Sequence, residues 1–248
     1  MDLLAFAAPP LPDVQAGDDL AALIANAIDR SGRAIEAGDV VVVAQKIVSK
    51  AEGAIVPLAG VTPSAMAEQW AREWGKDPRV VEVVLQQSRR IVRMDRGVLI
   101  AETHAGFVCA NAGVDGSNVP HGFVTLLPHD ADASAERLHQ ALGAAFGCPV
   151  AVIVSDTFGR PWREGVVNVA LGVAGLRPLL DYRGCVDQYG RRLESTVMAI
   201  ADEIASAAEL VMRKTARTPV AIVRGAAEWA GAGTGRLLLR DAERDLFR

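Results

Sequence analysis

The stretch Cys148–Gly165 reads CPVAVIVSDTFGRPWREG, and the fold predicted for this chain depends on it. Its apolar, mostly β-branched run Val150–Val154 is typical of a buried strand. The run stops at Ser155-Asp156-Thr157, so we expect polar side chains at the carboxyl end of that strand. The glycine and proline that follow predict a loop. Spacing alone leaves two interpretations of Asp156 open, a functional carboxylate or the N-cap of a following helix.

A second stretch with the same pattern, Phe107–Asn118, reads FVCANAGVDGSN. Its short apolar run gives way to side chains that carry oxygen, namely Asn111, Asp115, Ser117 and Asn118. Carboxylate, amide and hydroxyl oxygens are the ligands of hard cations such as Mg²⁺, and glycines allow backbone amides to approach phosphate. The two stretches therefore predict one shared site for metal and phosphate.

Composition excludes several classes of protein. The chain has 248 residues and a formal charge of −4, with basic and acidic residues interspersed, so we expect no nucleic-acid partner. The three cysteines have no spacing typical of a disulfide framework or a zinc site, and burial is the favoured interpretation of Cys109 and Cys148. No signal peptide or membrane span is indicated, which predicts a cytoplasmic protein.

Helices and strands interleave along the chain, which predicts an α/β or α+β fold. The predicted helices are Asp18 or Asp19 to Arg30, Thr62-Pro63 to Gly75, Asp77-Pro78 to about Arg90, Asp132 or Ser134 to Phe146, Glu194–Lys214 and a charged helix after Gly235. Further strands are predicted at Val40–Ala44, Val98–Glu102, Phe107–Ala110, Val166–Gly175 (with a bulge) and Pro219–Val223. The P-loop motif is absent, so any nucleotide must bind by another architecture.

Two lysines follow the predicted strand Val40–Ala44. Gln45 and Lys46 come directly after its apolar run, and Lys50 follows shortly after them. A lysine in this position is either a solvated surface charge or a point charge that meets phosphate. Both interpretations stay open at this stage.

Taken with AQKIVSKAEG at Ala44–Gly53, the two stretches resemble the coenzyme F420 γ-glutamyl ligases, which add glutamate to the precursor of a deazaflavin coenzyme. The similarity begins with LPDVQAGDDL at Leu11–Leu20 and continues through ADEIASAAELVM at Ala201–Met212 to PVAIVRG at Pro219–Gly225. Ordered agreement over nearly the whole chain makes the resemblance specific.

The resemblance implies a two-domain, mixed α/β (α+β) fold of the γ-glutamyl ligase type, neither P-loop nor Rossmann. Residues 1–248 would form one ligase unit with two subdomains, about 1–80 with 190–248 and about 81–189. An intertwined homodimer is implied, with GTP and metal bound between domains. We expect no flavin-binding extension and therefore no redox activity.

Site residues follow from the resemblance by matching positions. Asp115 and Asp156 would bind Mg²⁺ or Mn²⁺, with Thr157 at a second such ion and K⁺ as a further candidate. The residues that would contact GTP are Leu11, Pro12, Asp13, Val14, Gln45, Lys50 and Asn118. Met212–Pro219 would border the guanine.

The implied reaction is amide ligation. GTP would phosphorylate a carboxylate of coenzyme F420-0, and the amine of L-glutamate would attack the acyl phosphate. Arg160 and Arg163 are candidates for neutralising phosphate charge or for holding a substrate carboxylate. Glu164 is a candidate base for the amine, or else the partner of a neighbouring arginine in a salt bridge.

Two other functions are compatible with the same residues. One is a metal-dependent phosphohydrolase that uses the carboxylates to activate water. The other is a nucleotide-binding protein without turnover.

Overall fold

The computed structural model describes residues 2–245 and confirms a mixed α/β class. Its helices are α1 (Leu20–Arg30), α2 (Gln45–Ala51), α3 (Ala65–Trp74), α4 (Pro78–Gln86), α5 (Ala131–Phe146) and α6 (Ile200–Met212). Its strands are β1 (Leu4–Ala7), β2 (Val40–Ala44), β3 (Ile55–Pro57), β4 (Ser88–Asp95), β5 (Val98–Thr103), β6 (Val108–Ala110), β7 (Phe123–Thr125), β8 (Ala151–Arg160), β9 (Arg163–Ala174), β10 (Leu180–Asp181), β11 (Val197–Met198) and β12 (Val220–Arg224).

The main sheet has the strand order β1-β12-β2-β8-β9. Strands β2 and β8 pair in parallel, with Val40 opposite Ala151 and Ala44 opposite Ser155, while the other neighbours are antiparallel. Four consecutive valines, Val40–Val43, are fully buried. A strand that is apolar on both faces needs cover on both faces, and helices provide it here.

Three helices pack against one face of the main sheet and one helix packs against the other. Val41 and Val43 face α1, α2 and α5 in one hydrophobic core. Val40 and Val42 face α6 in the other. The alternation of neighbouring valines between two cores follows from the period of two along a strand.

Local sequence signals set most helix ends. The Asp19 carboxylate accepts a hydrogen bond from the Ala22 amide (3.0 Å) at the start of α1, and Asp130 caps α5 in the same way. Pro78 occupies the first turn of α4 after the cap Asp77. Helix α3 ends at Gly75, which adopts a left-handed conformation (φ 62°) that glycine tolerates at low cost.

The predicted stop of the central strand at Thr157 is wrong. Strand β8 continues to Arg160 and turns directly into β9, so Asp156 lies within a strand and cannot be a helix N-cap. Only its parallel pairing with β2 ends at Ser155. The polar residues stay in an extended strand because β9 continues to satisfy their backbone hydrogen bonds.

Several predicted boundaries shift. Helix α4 ends at Gln86, short of Arg90, because Ser88–Asp95 pairs with β5. The predicted helix Glu194–Lys214 begins only at Ile200, since Val197-Met198 pairs with β10. Helix α5 begins slightly before the predicted start. The predicted charged C-terminal helix partly falls on residues 246–248, outside the described residues; before them the tail forms 3₁₀ turns.

A second region packs α3 and α4 against the sheet β4-β5-β6 and the pair β3-β7. The predicted hairpin of β5 and β6 is confirmed, and the rings of Trp70 and Trp74 lie 5.7 Å apart, centroid to centroid. A bridge between Asp115 and Thr125 fixes the loop after β6. The division of the chain into two subdomains stays a prediction. Among residues 2–245, no helix combines the length and apolar character needed to span a membrane.

Gly172 marks a close contact between β9 and the start of α5. A Cβ atom at Gly172 would lie 1.9 Å from the Ala131 carbonyl oxygen, whereas one at Gly159 would meet nothing within 4 Å. We expect Gly172→Ala to lower the free energy of unfolding by about 1–3 kcal/mol, because backbone must shift to admit the methyl group. Chemical denaturation measures the loss. Gly159→Ala is the control, and equal effects of the two changes would contradict this packing.

Candidate functional site

A cavity of about 690 Å³ opens where the parallel pairing of β2 and β8 ends. In open α/β sheets, ligands bind in the crevice outside the carboxyl ends of parallel strands. The walls come from the segment after β1, the start of α2, the loop after β6, strands β8 and β9, and the segment after α6. This cavity is the candidate functional site.

The cavity brings together every residue predicted to bind nucleotide or metal. The lining residues that were predicted are Leu11, Pro12, Asp13, Val14, Gln45, Lys50, Asp115, Asn118, Asp156 and Thr157. Met212, Thr218 and Pro219, from the segment predicted to border the guanine, also line it. Residues more than 200 positions apart in sequence thus meet at one place.

The three predicted catalytic residues lie elsewhere, at the turn between β8 and β9. Arg160 donates a hydrogen bond from Nη2 to the Glu164 carbonyl oxygen (2.7 Å), and Arg163 and Glu164 are exposed. None of the three lines the cavity. The contact within this turn uses the Glu164 backbone, not its carboxylate, and so differs from the predicted salt bridge.

Asp156 is a carboxylate in a poorly solvated position. Burial raises its pKa to about 6, and the negative charge of Asp115 adds to the rise. The Thr157 amide and the charges of Lys214 and Lys46 oppose it without cancelling it. A carboxylate that resists ionisation for lack of counter-charge gains when a cation binds beside it.

Asp115 is held by Lys46 and Ser117. Burial disfavours its charged form, but hydrogen bonds from these two residues outweigh burial, so the pKa of Asp115 lies below its usual value. The Ser117 amide donates to Oδ1 (2.7 Å) and the Ser117 hydroxyl to Oδ2 (2.7 Å). Lys46 Nζ also donates to Oδ2. Asp115 is therefore ionised and fixed in place at neutral pH.

A chain of hydrogen bonds orients the Thr157 hydroxyl. It donates to Asn168 Oδ1 (2.9 Å) on the neighbouring strand β9, and Asn168 Nδ2 donates to Ser155 Oγ (3.3 Å). Lys214 Nζ donates to the same hydroxyl oxygen. With its proton directed at Asn168, the hydroxyl presents lone pairs to cations in the cavity.

Lys50 does not fit the description of a solvated surface charge. It is only 8% exposed, and its Nζ lies 2.7 Å from Asp13 Oδ1. That hydrogen bond is the main reason that the pKa of Asp13 is lowered. Gln45, 2% exposed, accepts a hydrogen bond from Ser49 Oγ (2.7 Å). Contact of Lys50 with phosphate stays a prediction.

The chemistry of the donor set suits Mg²⁺ or Mn²⁺. Asp115, Asp156 and Thr157 offer only oxygen, and no group of three or more His, Cys, Asp or Glu side chains that could hold a metal ion occurs among residues 2–245. Magnesium is commonly held by one or two carboxylates together with substrate phosphates and water. The residues present therefore fit a metal ion that arrives with a phosphorylated ligand.

The family model described as F420-0:Gamma-glutamyl ligase matches residues 10–225. The chain belongs to this ligase family. This match confirms the resemblance found in the sequence, and the matched range contains every residue of the cavity lining.

Three proteins named Coenzyme F420:L-glutamate ligase are similar to this member of the F420-0:gamma-glutamyl ligase family. The protein of Methanothermobacter thermautotrophicus is 48% identical over 242 residues, 96% of each chain. That of Methanopyrus kandleri is 47% identical over 95% of this chain and 93% of its own. That of Methanocaldococcus jannaschii is 44% identical over 86% of each.

The cavity of this family member also contains Asn168, a side chain that the sequence analysis did not select. Ser117, from the second polar stretch, lines the cavity as well, and so do three basic residues of the segment predicted to border the guanine, Arg213, Lys214 and Arg217. RKTAR at Arg213–Arg217 follows the last long helix and concentrates positive charge. Asn168 is a single polar residue in the apolar run VVNVAL, which indicates a buried polar contact.

Cys109 is buried, and its surroundings disfavour a nucleophilic role. Burial, and to a lesser extent the charge of Asp156, raises the pKa of its thiol to about 12. The reactive form of cysteine is the thiolate, which is scarce at neutral pH with such a pKa. The predicted burial of Cys109 is confirmed, whereas Cys148 is only partly buried.

The opposite pKa shifts of the two carboxyl groups predict opposite effects on the metal-free protein. The pKa of Asp156 is about 6 when folded against 3.8 in its ordinary state, so its ionisation destabilises the fold as the pH rises between these values. Asp156→Asn should therefore raise the melting temperature in a chelating buffer at neutral pH. The rise should be about 2–6 °C, since each pKa unit is worth about 1.4 kcal/mol and partial exposure reduces the effect.

Asp115→Asn is the matched variant, and we expect it to change the melting temperature in the opposite direction. The folded pKa of Asp115 is lowered, so this group stabilises the fold above its ordinary pKa of 3.8 and loses that effect only as the pH falls through the folded value. The variant should melt at a lower temperature than the unmodified chain at neutral pH. Scanning calorimetry across the acidic range measures both differences. If Asp156→Asn melted at a lower temperature than the wild-type protein at neutral pH, burial would not be raising the pKa of Asp156.

Proposed function

We propose that this protein is a GTP-dependent amide ligase that joins L-glutamate to coenzyme F420-0 through an acyl phosphate. The observation that carries the proposal is the single cavity in which a member of the F420-0:gamma-glutamyl ligase family gathers its candidate nucleotide and metal residues. The similar proteins of Methanothermobacter and Methanopyrus are both named for the same coenzyme and amino acid.

The reaction has two steps. A carboxylate oxygen of coenzyme F420-0 attacks the γ-phosphorus of GTP, and GDP leaves. The amine of glutamate then attacks the carbonyl carbon of the acyl phosphate, loses a proton and expels phosphate. When bound, Mg²⁺ or Mn²⁺, two per site and with K⁺ as a further ion, would neutralise charge on the phosphates.

Different residues of the cavity would have different roles in this reaction. Asp115, Asp156 and Thr157 would hold the divalent ions, and the low pKa of Asp115 keeps that group ionised. Lys50 would contact phosphate, while Leu11–Val14, Gln45 and Asn118, which line the same cavity, would position the nucleotide. Phosphoryl transfer depends on positioning and charge neutralisation, which these groups would supply.

Arg160, Arg163 and Glu164 would act on the acceptor side. Strands β8 and β9 carry Asp156 and Thr157 in the cavity and these three residues at the turn beyond it. A long acceptor that extends from the cavity along this pair of strands would meet them. In this arrangement the arginines hold an acidic group of the acceptor and Glu164 accepts a proton from the amine.

A cytoplasmic homodimer completes the proposal. Several large apolar side chains remain exposed in the single chain, among them Trp162 (83%) at the β8–β9 turn and Tyr189 (81%) and Val186 (64%) between β10 and β11. Surfaces of this kind are common where subunits associate. A second copy of the chain would cover them.

The decisive test combines the substrates one by one. With Mg²⁺ or Mn²⁺ present, we expect GTP to be consumed only when glutamate and coenzyme F420-0 are both added, and mass spectrometry should show the coenzyme gaining glutamyl units. ATP in place of GTP tests nucleotide choice. Asp156→Asn should lower the rate on the order of a thousandfold, since it weakens charge stabilisation in the transition state by several kcal/mol.

Each other function gives a different result in the same assay. Release of GDP and phosphate without glutamate would indicate a phosphohydrolase. Tight GTP binding with no product after long incubation would indicate a binding protein. An unchanged coenzyme mass with all substrates present would exclude the ligase.

A second prediction concerns Lys50. Lys50→Met keeps the apolar stem and removes the ammonium, so GTP affinity should fall about 10- to 100-fold, the value of one charge-assisted hydrogen bond. Its partner Asp13 is 69% exposed and stays solvated, so the melting temperature should change little. Titration calorimetry with GTP measures the affinity. Lys76→Met, at an exposed position outside the cavity lining, is the control. Unchanged affinity in Lys50→Met would show that Lys50 does not contact phosphate.

A further inference from the structure

Lys46 has no role in the proposed function, yet its ammonium group is fully hydrogen-bonded. Its ammonium group donates to Asp115 Oδ2, to the Ser117 carbonyl oxygen (2.6 Å) and to Ser117 Oγ (2.7 Å). An ammonium has three donors, and three oxygen atoms satisfy them here. The side chain is only 16% exposed.

The three acceptors of Lys46 form the type of oxygen cage that binds hard cations. A carboxylate, a backbone carbonyl and a hydroxyl converge on one positive charge. Two of them belong to Ser117 and the third to Asp115, the carboxylate proposed above as a metal ligand. The ammonium therefore lies directly against an oxygen that a divalent ion would use.

We propose that Lys46 is a displaceable counter-ion of Asp115, which neutralises the carboxylate until a divalent cation takes its place and then moves to a phosphate of the nucleotide. This inference rests on the metal site of the proposed function. It adds that Lys46 binds first the Asp115 carboxylate and then a phosphate, and that Lys46 and the metal ion compete for Asp115.

The position of Lys46 on α2 permits this transfer. Lys46 and Lys50 are four residues apart on one helix, so both project from the same face, and both line the cavity. The lysine ammonium is a compact charge on a flexible stem of four carbons. Rotation of that stem is enough to exchange one oxygen partner for another within the cavity.

A purely structural role for Lys46 makes the opposite prediction about metal affinity. Lys46 joins α2, on the main sheet, to the loop after β6 in the second region. If it only held that loop in place, its loss would loosen Asp115 and weaken metal binding. If it competes with the metal, its loss removes a positive charge and a bound partner from Asp115, and metal binding becomes stronger.

The test measures Mn²⁺ affinity by electron paramagnetic resonance in the full-length protein without nucleotide. Lys46→Met should bind Mn²⁺ about tenfold more tightly than wild type, because a nearby positive charge no longer opposes the dication. At saturating Mn²⁺, the same variant should bind GTP about tenfold more weakly, because one phosphate contact is lost. Tighter binding of Mn²⁺ together with weaker binding of GTP in this variant identifies the counter-ion role.

Matched variants make the result specific. Lys50→Met removes a lysine one turn away that contacts Asp13 and no candidate metal ligand, so its Mn²⁺ affinity should stay within about twofold of wild type. Lys46→Arg keeps the positive charge and should resemble wild type toward Mn²⁺. Lys46→Gln repeats the test if the methionine variant does not fold, and melting curves report folding of each protein.

The outcomes separate this inference from the proposed function. Mn²⁺ affinity that is unchanged or weaker in Lys46→Met, with wild type binding Mn²⁺ normally, would overturn the counter-ion role alone. Absence of Mn²⁺ binding by wild type in the presence and absence of GTP would overturn the metal site and this inference together. Loss of Mn²⁺ binding in Asp115→Asn shows that the measured ion is the one at Asp115.

Discussion

The parallel pairing of Val40–Ala44 with Ala151–Ser155 is the constraint on which the rest of the structure depends. Both strands are buried on both faces, so they can carry few polar side chains along their paired length. Polar groups can appear only where the pairing ends. At that point β2 leads into α2, which carries Lys46 and Lys50. Strand β8 continues, paired with β9, and carries Asp156 and Thr157.

The continuation of β8 past the parallel pairing changes the chemistry of Asp156. A side chain at a free strand end would be well solvated. In an extended strand that remains paired with β9, Asp156 instead lines the cavity together with the loop after β6 and the segment after α6. That placement explains why burial raises the pKa of Asp156, whereas Asp115, on the covering loop, obtains a lysine partner.

The sequence predicted those parts of the structure that local signals determine. The valine run, the cap at Asp19 and the Asp77-Pro78 start of a helix each depend on neighbouring residues, and each prediction is confirmed. Strand β4 was missed because its sequence, SRRIVRMD, has no clear alternation, and its conformation comes from pairing with β5. The start of the Ile200 helix was misplaced for the same reason, since the pairing of β10 with β11 overrides local helix preference.

The candidate site shows the same division between local and long-range information. The carboxylates could be predicted because each stands among small residues after an apolar run. Asn168 could not, because its relevance comes from a contact with Thr157 that is made 11 residues away in sequence. Similarity to a family supplied the nucleotide residues, whose side chains carry little chemical signal by themselves.

Charge in the cavity is nearly balanced, and that balance bears on what can bind there. Its acidic lining residues are Asp13, Asp115, Asp156 and Glu209, and its basic ones are Lys46, Lys50, Arg213, Lys214 and Arg217. A bare triphosphate would have to displace carboxylates from their lysines, and a bare dication would meet the lysines. A triphosphate that arrives with divalent cations carries little net charge and offers a partner of opposite sign to both sets at once. The lining thus favours joint binding of metal and nucleotide over binding of either alone.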